Sequence, residues 1–349
     1  MSTLQQHATD HAPPRAFQTR RLLGGAAQVA ALIGALVLVA ALTPGLGDVR
    51  RLLGDASLGW VAAAVALQLL SCVAYVLMFK PIFCAERSWG AASRIGWSAL
   101  GMGSIVPASG AAGLALASWA LVHDGMEPER VARRSVAFFL IKGSVNFVAV
   151  ALIGTAMALG LVGPPVSLWL TAFPAALAGV AIAVVLLLPR IGAGGEAARA
   201  VPPGAQRAVT RSGAIRVRAA LTIARRTLVT GTAEAIGILR ARNPLVLAGA
   251  LGYWLFDNAV LWAAFHAFGA DVSIWVILLG YLVGQLGGLL PIPGGMGGID
   301  GGLIGMLIVF GAPAAATAAA VLIYRVILFW LPLAGGAIGF VALRRSIAA

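Results

Sequence analysis

The lengths of the apolar runs constrain this chain most, because a helix of about 20 apolar residues crosses a bilayer. Six runs reach or contain this length, and polar segments separate them: 22–42, 58–79, 131–161, 166–188, 244–268 and 313–341. Backbone groups in hydrocarbon must be hydrogen-bonded within their own segment, so each run is predicted to be a helix. The sequence therefore predicts an all-α polytopic membrane protein with about six full spanning helices.

Two further apolar stretches are interrupted by proline and glycine. Residues 95–122 are broken at Pro107-Ala108-Ser109-Gly110, and residues 273–310 at Pro291-Ile292-Pro293-Gly294-Gly295. The apolar arms at each break are too short to span, and runs of about 10–14 residues are typical of re-entrant segments. Both stretches are therefore predicted to be re-entrant broken hairpins.

The two broken stretches belong to a repeat with an offset of 186 residues. This offset places Pro107 on Pro293 and Gly125 on Gly311, and each unit consists of a span, a broken hairpin and a span. Two spans lie between equivalent elements, so the copies run in opposite directions. Inverted repeats with broken helices at matching positions are typical of transporters. The predicted repeats cover about residues 58–141 and 244–327.

Composition and charge narrow the class of protein. Hydrophobic residues make up 60% of the chain and charged residues 11%, which excludes a soluble enzyme and a disordered protein. Two cysteines, Cys72 and Cys84, are too few for a disulfide scaffold and predict neither a bridge nor a metal site. The net charge of +13 comes from short basic segments without a binding motif. We therefore expect anionic lipid headgroups as partners and no nucleic acid.

The positions of the basic residues predict the orientation. With the N-terminus inside and each hairpin returning to its own side, 21 of the 25 Lys and Arg lie inside, and only Arg50 and Arg51 lie outside. The positive-inside rule thus predicts a multi-pass protein of the plasma membrane with both termini cytoplasmic. Its expected parts are a disordered cytoplasmic tail at 1–19, an integral membrane domain at 20–345 and a cytoplasmic Arg-rich loop at 190–243.

Four ionisable residues fall inside apolar stretches: Lys142, Asp257, Asp300 and Arg325. Such residues are costly in a bilayer and mark substrate sites by default. The functional interpretation gives Lys142 and Arg325 to an anionic headgroup, with the two carboxylates as their partners or as seats for a cationic group. The structural alternative pairs Arg325 with Asp300 or Asp257 and lets Lys142 reach toward a membrane interface.

The breaks themselves allow two interpretations. Ser109, Gly110, Gly294 and Gly295 precede helical arms whose first N–H groups are free to bind an anion such as phosphate. Alternatively, the glycines only allow close helix packing. No Walker A loop, H-E-x-x-H or G-x-S-x-G motif occurs in the sequence, so no catalytic residue, cofactor or metal is expected.

Several stretches resemble one known family. They are Ile105–Gly113, Arg133–Ser135, Gly280–Leu286, Leu290–Gly302, Leu322–Arg325 and Phe329–Pro332. Together they resemble the lysylphosphatidylglycerol synthase transmembrane region family, over roughly residues 25–345. The resemblance implies a flippase-like membrane domain, as in the multiple peptide resistance factors. Their cytoplasmic synthase domain is absent from this chain, so synthase activity is not expected. Asp300 stands where the family more often has Glu.

Three functions remain open from the sequence. The first is a lipid translocase for an anionic or aminoacylated phospholipid or a polyprenyl-phosphate-type lipid. The second is an integral membrane transferase for lipid-linked substrates, with Asp257 or Asp300 as the base. The third is a non-catalytic membrane partner of a separate lipid synthase. A homo-oligomer or such a synthase would be the protein partner.

Overall fold

The computed structural model describes residues 47–105, 111–196, 213–284 and 298–348, together with the isolated positions 24, 27, 31 and 34. These residues form eleven helices and no strand. In chain order the helices are α1 (Gly47–Gly54), α2 (Leu58–Phe83), α3 (Trp89–Ile105), α4 (Ala111–His123), α5 (Pro128–Ala158), α6 (Leu168–Glu196), α7 (Gly213–Arg240), α8 (Pro244–Ala267), α9 (Ile274–Gly284), α10 (Gly298–Val309) and α11 (Ala314–Ala348).

Five of these helices are long and apolar enough to cross a membrane: α2, α5, α6, α8 and α11. They correspond to the last five of the six predicted spans, and the all-α polytopic class is confirmed. The predicted span at 22–42 and the tail at 1–19 lie outside the described residues, apart from the four isolated positions.

Two pairs of short helices occupy the predicted hairpins. In the second pair, Gly284 lies against Leu303 and Gly280 against Leu307, so α9 and α10 pack antiparallel. In the first pair, a Cβ on Gly113 would lie 2.2 Å from the carbonyl oxygen of Ala99, so α3 and α4 touch backbone to backbone. The 11 and 12 residues of α9 and α10 each extend only about 17 Å, too short for a bilayer.

The offset of 186 residues recurs in the element boundaries. Helices α2 and α8 begin 186 residues apart, and so do α5 and α11. The turns that end α4 and α10 also match. Gly125 and Gly311 have positive φ angles of 88° and 95°. In each turn the glycine N–H donates to the carbonyl oxygen three residues earlier, that of Val122 or Ile308. The next N–H donates five residues back, from Met126 to Leu121 and from Ala312 to Leu307. Glycine tolerates this left-handed conformation and ends a helix in this way.

The equivalent helices α2 and α8 pack antiparallel along their lengths. Near one end, the N–H of Ser57 donates to the carbonyl oxygen of Ala267. Toward the other end, a Cβ on Gly249 would lie 2.5 Å from the backbone nitrogen of Met78. Only glycine allows this approach, and small residues at such contacts are common between membrane helices.

The Arg-rich segment differs from the prediction of a loop at 190–243. Residues 213–240 form α7, and Val229, Thr232 and Ala235 are buried on one of its faces. Glu234 forms salt bridges to Arg133 and Arg134 of α5. The high arginine content suggested a loop, but the buried positions recur every three residues. This spacing allows an amphipathic helix to pack against the spans.

Candidate functional site

The structure separates the four intramembrane ionisable residues into two groups. Asp257 of α8 and Lys142 of α5 line the same cavity, whereas Asp300 of α10 and Arg325 of α11 form an ion pair. The carboxylate of Asp257 interacts electrostatically with both Lys142 and Arg325, so the two groups are neighbours.

The cavity has a volume of about 190 Å³ and lies between the two units. Six helices contribute to its wall: α2, α3, α4 and α5 from the first unit, and α8 and α11 from the second. Its polar side chains include Gln68, Ser104, Lys142, Tyr253 and Asp257. Polar and apolar side chains thus share the wall, and a cavity with a few convergent polar groups is the usual form of a ligand site.

Lys142 is the cation of this cavity. Its ammonium group lies 5.4 Å from the ring centroid of Tyr253 and 5.8 Å from that of Phe139. Both distances are within the range of a cation–π interaction, which partly offsets the loss of hydration. Lys142 lies 14 residues after Pro128, about 21 Å along α5. The charge is thus held deep in the bundle, beside a space that a ligand can enter.

Asp257 is the anion of the cavity, and two tyrosines hold it. The side chain is only 6% exposed, and its Oδ2 accepts hydrogen bonds from the hydroxyls of Tyr281 and Tyr324, the latter at 3.1 Å. The two rings meet edge to face, with their centroids 6.4 Å apart. Because the donors come from α9 and α11, the carboxylate joins three helices of the second unit. Such donors are what a buried carboxylate requires.

Arg325 and Asp300 form the second group. The Nε of Arg325 donates to Oδ1 of Asp300 at 2.8 Å, and Nη2 donates to the same oxygen. This is the structural alternative considered for Arg325, with Asp300 as the partner. The other oxygen, Oδ2 of Asp300, is buried and has no hydrogen-bond partner among the described residues. The guanidinium thus engages only half of the carboxylate.

The break residues Ser109, Gly110, Gly294 and Gly295 lie outside the described residues. Their proposed part in anion binding therefore stays a prediction. Cys72 and Cys84 are free thiols and both are buried.

Sequence reasoning missed the tyrosines. The chain has four: Tyr75 and Tyr253 line the cavity, and Tyr281 and Tyr324 bind Asp257. Tyrosine in membrane proteins is enriched at the two interfaces, whereas these four lie within apolar helices. Their position away from the span ends was the available signal. The sequence analysis also did not single out Gln68, a polar residue that is buried in the middle of α2.

Comparisons with known proteins also identify a membrane protein. The family described as "Lysylphosphatidylglycerol synthase TM region" matches residues 27–336. Two UPF0104 membrane proteins of Methanothermobacter thermautotrophicus are each 32% identical, over 117 and 97 residues. These matches cover 32% and 27% of this chain, and 35% and 29% of the respective relatives. The chain thus matches about a third of the length of each relative.

Proposed function

The chain belongs to the lysylphosphatidylglycerol synthase transmembrane region family, and on this premise we propose that it is a flippase-like lipid translocase. Its substrate is a lipid with an anionic headgroup: an anionic or aminoacylated phospholipid, or a polyprenyl-phosphate-type lipid. The protein resides in the plasma membrane with both termini cytoplasmic. The cavity that holds both Lys142 and Asp257 is the observation that carries this proposal.

The cavity suits a headgroup by its charges. The ammonium of Lys142 binds the phosphate, and this attraction is stronger inside the helix bundle than in water because the effective dielectric constant is lower there. Asp257 lines the same cavity and accepts an amine where the headgroup carries one. Asp257 and Asp300 already accept hydrogen bonds from Tyr281, Tyr324 and Arg325, which supports a binding role over that of a catalytic base.

In this proposal the two units, α2–α5 and α8–α11, are an inverted repeat. The matching turns at Gly125 and Gly311 and the antiparallel packing of α2 against α8 support it, because a two-fold axis in the membrane plane makes equivalent helices antiparallel. A site between such repeats is where transporters bind their substrates.

A lipid-movement assay tests the function. The purified protein is reconstituted into phosphatidylcholine vesicles that contain a trace of fluorescently labelled phosphatidylglycerol. Dithionite then quenches the label that reaches the outer leaflet. We expect the wild type to move the labelled lipid and Lys142→Gln to lose this movement. Lys142→Arg should retain part of it, because the positive charge remains.

Lys80 supplies the matched control, since it is the other lysine of the chain. Its ammonium donates to the carbonyl oxygen of Ala85 at the end of α2, so Lys80→Gln should move lipid as the wild type does. A wild type that moves no anionic lipid, or a Lys142→Gln variant with full movement, contradicts the proposal.

A further inference from the structure

The ionisable side chains in and beside the cavity balance one another in charge. Lys142 and Arg325 are cations, and Asp257 and Asp300 are anions. The carboxylate of Asp257 interacts electrostatically with both cations, and Asp300 accepts hydrogen bonds from Arg325. Charges inside a bilayer require partners nearby. These four side chains meet that requirement among themselves, so an added charge must bring its own compensation.

An anionic headgroup disturbs this balance. A lipid phosphodiester brings one negative charge to Lys142, and Asp257 is the only carboxylate among the described residues that line the cavity. The phosphate and Asp257 are then two anions beside one cation, in surroundings of low dielectric constant where like charges repel strongly. A proton bound to Asp257 removes the excess charge.

The surroundings of Asp257 favour a proton over a metal cation. Tyr281 and Tyr324 both donate to Oδ2, and no described residue donates a hydrogen bond to Oδ1, which leaves that oxygen for a proton. The part of the chain that the structure describes contains no group of three or more His, Cys, Asp or Glu side chains that could hold a metal ion. The cavity of about 190 Å³ is large enough for water to bring a proton from solution.

The other titratable groups around Asp257 keep their protons near neutral pH. Cysteine, tyrosine, lysine and arginine ordinarily have pKa values of about 8.5 or higher, whereas a buried carboxyl group beside a second anion takes up a proton in the neutral range. Helices α3 and α4 contribute no ionisable side chain to the cavity wall. Asp257 is therefore the group of this site that can change its charge. The titratable groups around it are Cys72 and Tyr75 of α2, Lys142 of α5, Tyr253 of α8, Tyr281 of α9, and Tyr324 and Arg325 of α11.

We propose that Asp257 couples lipid movement to protons. On the side where an anionic headgroup enters, the carboxylate of Asp257 binds one proton from solution as Lys142 binds the phosphate. It releases that proton when the headgroup leaves on the other side, so the lipid anion and the proton together carry no charge. An amine on the headgroup takes the place of the proton at Asp257. The proposal rests on the proposed function and deepens it by naming the second species that moves with the lipid.

The first test measures how a pH gradient distributes the lipid. Vesicles with the purified protein and chain-labelled phosphatidylglycerol are given an interior one pH unit more acidic than the medium, and a brief dithionite pulse then measures the label in the outer leaflet. At one proton per lipid, the proton ratio is passed on to the lipid, so we expect about ten times more label in the outer leaflet than in the inner one. Vesicles with equal pH on both sides, and vesicles without protein, should keep similar amounts in the two leaflets.

A membrane potential separates this coupling from movement of the lipid anion alone. At equal pH, a potassium diffusion potential set with valinomycin should leave the label evenly distributed by the wild type, because lipid and proton together are neutral. Asp257→Asn keeps an oxygen that accepts hydrogen bonds from Tyr281 and Tyr324 but binds no proton. We expect this variant to lose the response to the pH gradient and to respond to the potential instead. Asp271→Asn, the same substitution at an exposed residue after α8, should behave as the wild type does.

Proton uptake on binding gives a second readout, which does not require lipid movement. Phosphatidylglycerol is added to the protein in detergent, in a weakly buffered solution that contains a pH indicator. We expect the wild type to take up about one proton per bound lipid. Lys142→Gln lacks the cation that binds the phosphate and should take up none. This measurement decides on the proposal where Asp257→Asn does not fold.

Three results overturn the coupling: a wild type that takes up no proton on binding, a wild-type distribution that follows the potential and not the pH gradient, and an Asp257→Asn variant that still follows the pH gradient. An even distribution in every arm also overturns it, because the lipid then moves without protons while the proposed function stands. A wild type that moves no label in any arm contradicts the proposed function instead.

Discussion

At the scale of single residues, the hydrogen bonds of Asp257 decide how the second unit is held together. Tyr281 and Tyr324 both donate to its Oδ2, so the variant Tyr281→Phe/Tyr324→Phe leaves a buried carboxylate without these donors. We expect a lower free energy of unfolding, by about 1–3 kcal/mol or more for an unsatisfied charged group. The measurement is the thermal midpoint of the purified protein in detergent.

Tyr75→Phe is the control for this prediction. It removes a hydroxyl from the cavity wall without touching the hydrogen bonds of Asp257. Its thermal midpoint should stay near that of the wild type. Equal midpoints for the double variant and the wild type would show that the tyrosines do not stabilise the fold.

Cys84 offers a second prediction at this scale. It follows the last residue of α2, and burial raises the pKa of its thiol to about 11. A raised pKa keeps the thiol protonated below that pH, and the thiolate is the reactive form. We expect maleimide to leave the native protein unlabelled at neutral pH and to label two cysteines after denaturation. Rapid labelling of the native protein would contradict the burial of Cys84.

At the scale of helices, the contact between α2 and α8 depends on a glycine. A Cβ on Gly249 would lie 2.5 Å from the nitrogen of Met78 and 2.7 Å from the oxygen of Ala74. Because these are backbone atoms, no side-chain rotation can relieve the contact, and Gly249→Ala must push the helices apart. Overpacking of this kind costs typically about 1–3 kcal/mol. The check is a lower thermal midpoint together with weaker lipid movement.

Gly237 is the matched glycine, because it lies within α7 and an added Cβ meets nothing within 4 Å. Gly237→Ala should raise the stability slightly, since alanine favours a helix by about 1 kcal/mol over glycine. If both substitutions have the same effect, helix propensity and not the α2–α8 contact explains it.

At the scale of the whole molecule, the proposed topology predicts which turns face each side. The hydrogen bond from Ser57 to Ala267 brings the turn before α2 to the turn after α8. Asp271 is exposed in the latter turn, and Glu86 is exposed beyond the opposite end of α2. We expect an impermeant thiol reagent to label Asp271→Cys in intact cells and Glu86→Cys only after the membrane is permeabilised. The reverse pattern contradicts the predicted orientation.

Local patterns in the sequence were enough to locate the helices of this protein. Runs such as 58–79 and 244–268 had to be helices because hydrocarbon offers the backbone no other hydrogen-bond partners. Proline and glycine located the short helical pairs, and the offset of 186 anticipated the matching turns at Gly125 and Gly311. The ionisable residues Lys142, Asp257, Asp300 and Arg325 also stood out by their position in apolar stretches. These inferences depend on local chemistry, which a sequence carries.

The contacts between these residues depend on tertiary packing. From the sequence, either Asp300 or Asp257 could pair with Arg325. In the structure Arg325 pairs with Asp300, and two tyrosines donate hydrogen bonds to Asp257. Side chains on different helices come together through helix rotation and close glycine contacts such as Gly249 on Met78. These depend on how all the surfaces fit at once, and apolar patterns do not specify which face of a nearly uniform apolar helix turns inward.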